Sequence, residues 1–285
     1  MSQHDMTVDN GAGLAVRADI NLALKALASQ SSGAIAPSPT FPCQLWADTG
    51  TSRLRQRDSA NTLWIDLGPL DSARPAPGSL LNVRVFSTPG TFTYTETPGT
   101  KKVIPWVQAA GGAGGGAPAT GAGVSSMGAP GGAGAYAESL ITSAFSGVTI
   151  TVGAGGTGVS GSTGNNGGPS SFGALVSCPG GRGGPPAGPS GGTFYQSAPN
   201  STAPSGGNIR SNIGAGGDTS ISPGIVGRPG ASLFGAGSLP TGAGVAGVAS
   251  TSPGAGGGGT GNGASAAALT GGAGAPGIVI VWEYA

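Results

Sequence analysis

Charged side chains are scarce in this chain. Of its 285 residues, 8% are Asp, Glu, Lys or Arg, and the formal net charge is +1. This balance gives no electrostatic basis for nucleic-acid binding, because affinity for nucleic acids depends mainly on cationic contacts with phosphates. The shortage is greatest between residues 111 and 280, where the charged side chains are Glu138, Arg182, Arg210, Asp218 and Arg228.

Side chains that perform acid–base catalysis or bind metals are also few. His4 is the single histidine, and Cys43 and Cys178 are the two cysteines. The glycine-rich part supplies no pair of carboxylates, no Cys/His cluster and no nucleophile beside a base. The sequence therefore predicts a protein that is not an enzyme and that holds no cofactor and no metal. A disulfide between the cysteines stays open, but burial as small hydrophobic side chains is favoured.

Long apolar helices are missing as well. The uncharged stretches after residue 229 are interrupted throughout by glycine and proline, so they would not form the roughly 20-residue helix that a bilayer requires. We therefore expect no membrane insertion. The first ten residues, MSQHDMTVDN, have neither the basic nor the apolar part of a secretory signal.

Glycine is abundant, and 52 of the 60 glycines lie between residues 111 and 280. With so few large apolar side chains there, the backbone itself must pack, and every buried N–H and C=O needs a partner. Polyproline-II-like segments have no internal hydrogen bonds, so their backbone groups can bond sideways. We predict a mostly irregular and β fold: an N-terminal helix, a small β meander, and a glycine-rich domain of polyproline-II-like (polyglycine II) helices bracketed by β-strands.

The clearest period-three spacing is a run of five glycines: Gly155, Gly158, Gly161, Gly164 and Gly167. As one continuous helix, this run would span roughly 40 Å at about 3.1 Å per residue. Collagen is excluded because the register breaks at 169–172. A disordered Gly/Ser linker is the main alternative, but apolar strings at 140–145, 148–152 and 277–282 are typical of strands.

The N-terminal region, residues 1–35, carries the helix signal. Its apolar positions Val16, Ile20, Leu24 and Leu27 fall on one helical face, and Asp9 or Asn10 is expected to cap its start. Little in the following sequence would cover this stripe. We therefore assign these four residues to oligomerisation or to docking on another protein.

Residues 36–88 predict a small antiparallel meander with strands at 43–47, 54–57 and 63–67, followed by a Pro-rich linker at 73–77. Trp46 and Trp64 are expected to be core or cross-strand partners. Arg53, Arg55 and Arg57 alternate and share one face, which we interpret as a solvated basic face in preference to a docking surface.

Residues 89–285 form the third predicted domain. A hairpin of strands at 91–95 and 101–108 would open it, and a strand at 277–284 would close it beside that hairpin. The match of 153–158 to G-x-G-x-x-G is dismissed, because no helix can follow it and no acidic residue lies about 20 positions on. A P-loop is excluded because the last lysine is Lys102.

Interruptions of the glycine runs, at 193–205, 208–213 and 218–234, are the expected recognition loops of this domain. They contain side chains of the kinds that anchor interfaces. The alternative is that these side chains only cover the ends of the bundle. The candidate receptor-binding residues are Phe194, Tyr195, Asn208, Arg210, Asn212 and Phe234.

Several segments, taken in order, resemble the glycine-rich adhesin domains of tailed-bacteriophage tail-fibre and tail-tip proteins. Residues 1–10, 16–27 and 46–68 resemble the N-terminal attachment modules of such fibres. Pro105 departs from the clean alternating strand usual at its position. The glycine-domain segments are GTFTYTETPGTKKVIPWVQAAGGAGGG (90–116), GAYAESL (134–140), SSFG (170–173), SCPGGRGG (177–184) and GAPGIVIVWEYA (274–285).

This resemblance implies a location in the virion, at the phage tail. The N-terminal third would bind other tail or baseplate proteins, the glycine domain would bind a host cell-surface receptor, and the chain would be a homotrimer, as such fibres commonly are. A purely structural connector of the tail is the first alternative. An ice-binding bundle is a second, which the irregular loops at 193–234 oppose.

Overall fold

The computed structural model describes residues 3–8, 10–70, 77–193, 195–221, 225–240 and 242–285. The chain divides into two compact units, one of Met1–Leu81 with Tyr284–Ala285 and one of Asn82–Glu283. Within the described residues, short strands and irregular segments predominate beside one N-terminal helix. The mostly β and irregular class predicted from the sequence is therefore confirmed. Among those same residues, no helix is long and apolar enough to cross a bilayer.

The helix of the first unit, α1, runs from Gly13 to Ala28. Its N-cap position is Ala12, and no side chain bonds the free N–H groups there, so the predicted cap at Asn10 is wrong and Asp9 lies outside the described residues. At the other end, the Ser29 N–H donates to the Lys25 carbonyl at 3.0 Å. The helix is thus placed by its apolar periodicity and not by an N-terminal cap.

The first unit also contains the predicted meander. Strands β1 (Leu45–Asp48), β2 (Arg53–Arg57) and β3 (Trp64–Pro69) are antiparallel and lie in chain order. The rings of Trp46 and Trp64 lie 5.3 Å apart between centroids, as expected of cross-strand partners. Cys43 is exposed, contrary to the burial favoured from the sequence, and it is a free thiol.

The three arginines of β2 do not form a solvated basic face. All three are half-buried, and Arg53 and Arg55 are paired with acids: Arg53 Nε lies 2.8 Å from Asp66 and Arg55 Nε lies 3.0 Å from Asp48. Arg55 also lies over the Trp46 ring and Arg57 over the Trp64 ring. A guanidinium can stack on an aromatic face while it bonds a carboxylate. The arginine side chains of β2 are therefore engaged in contacts within the first unit.

The described residues of the second unit contain four sheets. A five-stranded sheet has the order β14-β8-β6-β17-β4, a four-stranded sheet β11-β10-β9-β5, a three-stranded sheet β12-β7-β16, and a two-stranded sheet β13-β15. The strands are β4 Leu80–Phe86, β5 Gly90–Thr93, β6 Lys102–Gln108, β7 Ser125–Gly128, β8 Tyr136–Glu138, β9 Thr149–Val152, β10 Ser170–Phe172, β11 Val176–Cys178, β12 Pro186–Ser190, β13 Tyr195–Gln196, β14 Arg210–Asn212, β15 Ser220–Ile221, β16 Thr260–Asn262 and β17 Ile278–Tyr284.

Two sequence predictions about these strands have opposite outcomes. The opening hairpin of β5 with β6 is wrong, because β5 pairs with β9 and β6 lies in the other large sheet. The closing strand β17 does lie beside β6, as predicted. Both sheets contribute to one apolar core, where Tyr94 and Phe172 meet edge to face at 5.3 Å. Cys178 is buried in this core, which raises the pKa of its thiol to about 12.

A glycine-rich segment, residues 109–117, runs through the interior and is buried throughout. Its N–H groups donate in rotation to three neighbouring segments, at 2.8 to 3.2 Å. When the donor advances by three residues, the acceptor moves back by three. Toward the first neighbour, the N–H groups of residues 109, 112 and 115 donate to the carbonyls of 135, 132 and 129. Toward the second, those of 110, 113 and 116 donate to the carbonyls of 168, 165 and 162. Toward the third, those of 111 and 114 donate to the carbonyls of 275 and 272. Carbonyls of the same segment accept from Gly156, Gly181, Gly184 and Gly257.

Glycine is required in this arrangement because the backbones nearly touch. A Cβ on Gly158 would lie 1.8 Å from the Gly271 carbonyl oxygen. The five glycines spaced by three between Gly155 and Gly167 do not, however, lie on one continuous 40 Å helix as predicted. Gly161 has a φ of +63° in a turn, and beyond it the chain returns, with the Asn165 N–H donating to the Thr157 carbonyl at 3.1 Å.

Candidate functional site

The candidate site forms where strand β14 ends at one edge of the five-stranded sheet. Strand β14 is the outermost strand, has β8 as its neighbour in that sheet, and pairs Arg210 with Glu138 and Asn212 with Tyr136. Residues 208–213 are all exposed. The sheet thus holds this loop in a fixed register while its side chains stay accessible to a partner.

Tyr136 organises the side chains around this edge. The residue is 3% exposed, Arg210 Cζ lies 5.8 Å from its ring centroid, and the Phe234 ring meets it edge to face at 6.2 Å. Its hydroxyl donates to the Glu138 carboxylate. Burial, together with that carboxylate, raises the pKa of the Tyr136 hydroxyl far above its ordinary value, so it acts as a neutral donor.

Beside Tyr136 lies a cleft of about 230 Å³ that we call the Gln108 cleft. The residues that define it include Gln108, Gly134, Tyr136, Asn212, Ile213 and Leu233. Ile213 and Leu233 are half or nearly half exposed, at 50% and 44%, and contribute an apolar lining. None of the residues that line this cleft is charged.

Gln108 lies at the buried side of this cleft, at the end of β6, and is 0% exposed. Its Nε2 donates to the Gly134 carbonyl at 2.8 Å and to the Ala109 carbonyl at 3.1 Å, which fixes the orientation of the amide. Its Oε1 has no hydrogen-bond partner. A buried acceptor without a donor costs free energy, and because its surface is covered this atom is not accessible to a ligand in the cleft.

A second cleft of about 310 Å³ continues from the first, because Ala215 and Ala231 line both. Asp218, Arg228 and Leu239 are among its other lining residues, and all three are exposed. A backbone hydrogen bond of 2.8 Å from the Asp218 N–H to the Arg228 carbonyl holds its two sides together. We refer to the two clefts together as the loop groove.

The structure gathers half of the predicted receptor-binding residues. Arg210, Asn212 and Phe234 meet at Tyr136, beside the Gln108 cleft. Tyr195 lies instead in β13, which pairs with β15, and it is 65% exposed. Phe194 lies outside the described residues.

Asn208 has a structural contact that sequence reasoning did not foresee. Its side chain accepts from the Leu140 N–H at 2.7 Å and donates to the Leu140 carbonyl at 2.9 Å. It therefore bonds two backbone groups of one residue in the way that another strand would. This use of the amide fixes the loop against Leu140.

Sequence reasoning missed Gln108 and Tyr136. Gln108 stands in a segment predicted to be a strand, and Tyr136 stands in a segment noted only for its family resemblance. Both become part of the site because β6 and β8 are antiparallel and pair Gln108 with Tyr136. In β6, residues 103, 105 and 107 are buried and residues 102, 104 and 106 are half-buried, so the alternation places Gln108 on the less buried face and gave no signal of its burial.

The groove is lined mainly by uncharged side chains. In the part of the chain that the structure describes, no group of three or more His, Cys, Asp or Glu side chains is placed to hold a metal ion. The groove offers exposed aliphatic side chains and single charges at Asp218 and Arg228. Such a surface can select a ligand by shape and by a few polar contacts.

Comparison with known proteins matches the chain to a family model. A search of curated proteins found none that matches this chain. The model of the glycine-rich domain family matches residues 87–284, which is more than half of the chain and includes the loop groove. The chain therefore belongs to the glycine-rich domain family.

Proposed function

We propose that this chain is a tail-fibre or tail-tip protein of a tailed bacteriophage that recognises a receptor on the host cell and so mediates adsorption. The observation that carries the proposal is the loop groove. Exposed non-glycine side chains converge there on a scaffold held by backbone hydrogen bonds, and elsewhere the glycine segments offer few side chains to grip. Loops on a rigid support are where recognition residues concentrate.

The scaffold in this proposal is a bundle of polyglycine II helices. Each such helix has three residues per turn and no internal hydrogen bonds. The rotation of donors along 109–116 among three neighbours, with a step of three residues, supports that geometry. So does the close approach of the backbones, since a Cβ at Gly114 would lie 1.9 Å from the Gly258 carbonyl oxygen. A bundle of this kind would resist deformation when a receptor pulls on its loops.

The N-terminal helix supplies attachment in the proposal. Ile20, Leu24 and Leu27 are 42%, 56% and 61% exposed, and Val16 is half-buried, so the apolar stripe is available to another chain. Association of three copies through this stripe, or its docking on another tail or baseplate protein, would place the chain in the virion. Burial of these four partly exposed side chains would contribute less than the roughly 1.5 to 3 kcal/mol each that a fully exposed aliphatic side chain gains.

Competition for host cells tests the adsorption proposal. Purified protein should bind susceptible bacteria, and saturating amounts should slow phage adsorption. The variant Leu239→Asp should bind less well, because it puts a charge on an exposed apolar position of the groove. Val245→Asp is the matched control, at an exposed aliphatic residue outside the lining of both clefts.

If the purified protein neither binds cells nor slows phage adsorption, the adsorption proposal is wrong. The structural connector of the tail would then be the better account, and cryo-electron microscopy of the virion would place the chain away from the tip. Equal loss of binding in the Leu239→Asp and Val245→Asp variants would remove the groove from the proposal.

A further inference from the structure

We propose that Asn10 is a site of spontaneous deamidation, at which its side-chain amide becomes a carboxylate through a cyclic intermediate formed with Gly11. Asparagine followed by glycine is prone to this reaction, because glycine places no side chain in the way of ring closure. The chain contains three such pairs, at 10–11, 166–167 and 262–263. The fold leaves the first pair open and restrains the other two. The site lies in the N-terminal region and does not depend on the proposed function.

The reaction requires the two residues and water alone. The glycine backbone nitrogen loses its proton to solvent and attacks the asparagine side-chain carbonyl carbon, Cγ. A new C–N bond forms, the bond from Cγ to the side-chain nitrogen breaks, and that nitrogen leaves as ammonia with a proton from solvent. Water then adds to either carbonyl of the resulting succinimide and opens the ring. The products are isoaspartate and aspartate, and no oxidant or reductant takes part.

Asn10 and Gly11 have the surroundings that this reaction needs. Both are exposed, and they precede α1, which begins at Gly13. Among the described residues, a Cβ on Gly11 would come within 4 Å only of the Ala15 Cβ, at 3.9 Å. No side chain caps the helix at Ala12, so capping does not hold the Asn10 amide in place. The amide can therefore rotate toward the Gly11 nitrogen, and water can reach the ring.

The pair at 262–263 is restrained at the asparagine side chain. Asn262 lies in β16 and is 3% exposed. Its Nδ2 donates to the Ala267 carbonyl at 2.8 Å and to the Pro118 carbonyl at 3.1 Å. This nitrogen is the one that would have to leave as ammonia. Ring closure onto the Gly263 nitrogen would first have to break both hydrogen bonds in a buried place.

The pair at 166–167 is restrained mainly at the glycine. Asn166 is exposed, but its Oδ1 accepts from the Gly183 N–H at 2.9 Å. The Gly167 N–H, whose proton must be lost before attack, donates to the Gly181 carbonyl at 2.9 Å. A Cβ on Gly167 would lie 2.3 Å from the Ala110 carbonyl oxygen, so the neighbouring backbone leaves little space for a ring. Reaction here would need local opening of the glycine-rich domain.

Deamidation at Asn10 would change the segment that leads into α1. Either product adds one negative charge, so the formal net charge of +1 becomes 0. Isoaspartate also inserts a methylene group into the main chain. Stored protein would therefore become mixed in charge and in backbone length beside α1, while the glycine-rich domain would stay uniform.

Peptide mass mapping of the full-length protein, after incubation at mildly alkaline pH, tests this site. We expect a mass gain of about 1 Da in the peptide that contains Asn10. This gain should appear about tenfold or more faster than at Asn166 or Asn262, because local opening limits those two pairs. In urea, where the fold is lost, the three pairs should react at similar rates. Gly11→Val should slow the reaction at Asn10 about tenfold or more, since a branched side chain crowds the attacking nitrogen.

Three results would each overturn this inference. The first is an unchanged Asn10 in the native protein after the unfolded chain has reacted. The second is reaction of Asn166 or Asn262 in the native protein as fast as that of Asn10. The third is an undiminished rate in the Gly11→Val variant, which would exclude a ring formed with residue 11. None of these results bears on adsorption, so failure here and failure of the adsorption proposal are distinguishable.

Discussion

At the scale of single residues, two glycines of the second unit differ sharply in their surroundings. A Cβ on Gly158 would lie 1.8 Å from the Gly271 carbonyl oxygen, whereas a Cβ on Gly263 would meet nothing within 4 Å. Gly158→Ala should therefore force two backbones apart and lower the free energy of unfolding by about 3 kcal/mol or more. Gly263→Ala should leave it unchanged or raise it by about 0.5 kcal/mol, by restricting the unfolded chain.

Urea denaturation of both variants measures this difference. Equal midpoints for Gly158→Ala and Gly263→Ala would mean that the segments around Gly158 are not packed backbone to backbone. Gly161→Leu is a less direct test of packing, because Gly161 has a φ of +63° and its nearest neighbour is the Ala268 Cβ at 3.2 Å. A lower free energy of unfolding in the Gly161→Leu variant would report backbone strain in a turn.

A buried carboxylate network offers a second test on single residues. Glu283 is fully buried and accepts from the Tyr94 hydroxyl at 2.7 Å, from Arg84 Nε at 2.8 Å and from the Thr97 N–H at 3.2 Å. Tyr94→Phe should lower the free energy of unfolding by about 2 kcal/mol, since it removes a bond to a charged acceptor. Thermal denaturation at pH 7 measures the loss, and Tyr195→Phe is the exposed control.

The same network predicts how stability depends on pH. Burial alone raises the pKa of Glu283, but hydrogen bonds from Thr97, Tyr94 and Arg84 outweigh it and hold the pKa below its ordinary value. The unfolded chain then takes up this proton more readily, so the stabilisation is present at neutral pH and is lost as the pH falls below the ordinary pKa of glutamate and on through the lowered pKa of Glu283. The difference in melting temperature between the parent and Tyr94→Phe should narrow over that range. A constant difference would contradict the charged state of Glu283.

At the scale of elements, α1 is exposed on more than one face. The predicted association surface contains Ile20 and Leu24, while Leu22 is 52% exposed and lies roughly on the opposite side at 100° per residue. Ile20→Asp with Leu24→Asp should reduce a trimer to monomers in sedimentation, because charges would enter the apolar contact. Leu22→Asp should leave the oligomer intact. Dissociation by Leu22→Asp alone would place the contact on the other face, and a monomeric parent would exclude self-association.

At the scale of the whole molecule, the stability of the second unit depends on the residue at which it begins. The sequence reading ended the meander region at residue 88, but Arg84 of β4 bonds Glu283 of β17. A fragment of residues 80–285 should therefore have a melting temperature close to that of the second unit in the parent protein. A fragment of residues 88–285 should lose about 3 kcal/mol, because it leaves Glu283 buried without its cation. Both lack α1 and should sediment as monomers. Equal melting of the two fragments would show that β4 is dispensable.

Much of the fold could be predicted from the sequence where local signals are strong. The period of α1, the alternating strands of the meander with the Trp46 and Trp64 pair, and the closing strand beside β6 follow from hydrophobic patterning. The pairing of β5 with β9 could not be predicted in this way, because two short strands on either side of a turn suggest a hairpin. Pairing between strands far apart in the sequence leaves no local signal. The fold-back at Gly161 was missed for a similar reason, since glycine tolerates both a turn and an extended path.

The sequence by itself determined that backbone packing must replace a large apolar core in the glycine region, because composition limits what a chain can bury. It also identified Arg210, Asn212 and Phe234 as residues that stand out from their surroundings. Only the tertiary structure brought them to Tyr136 and left Gln108 Oε1 without a partner. The physical reason is that a site is made by the neighbours a side chain meets in space, and glycine segments, which fold back or run on with nearly equal ease, do not encode those neighbours locally.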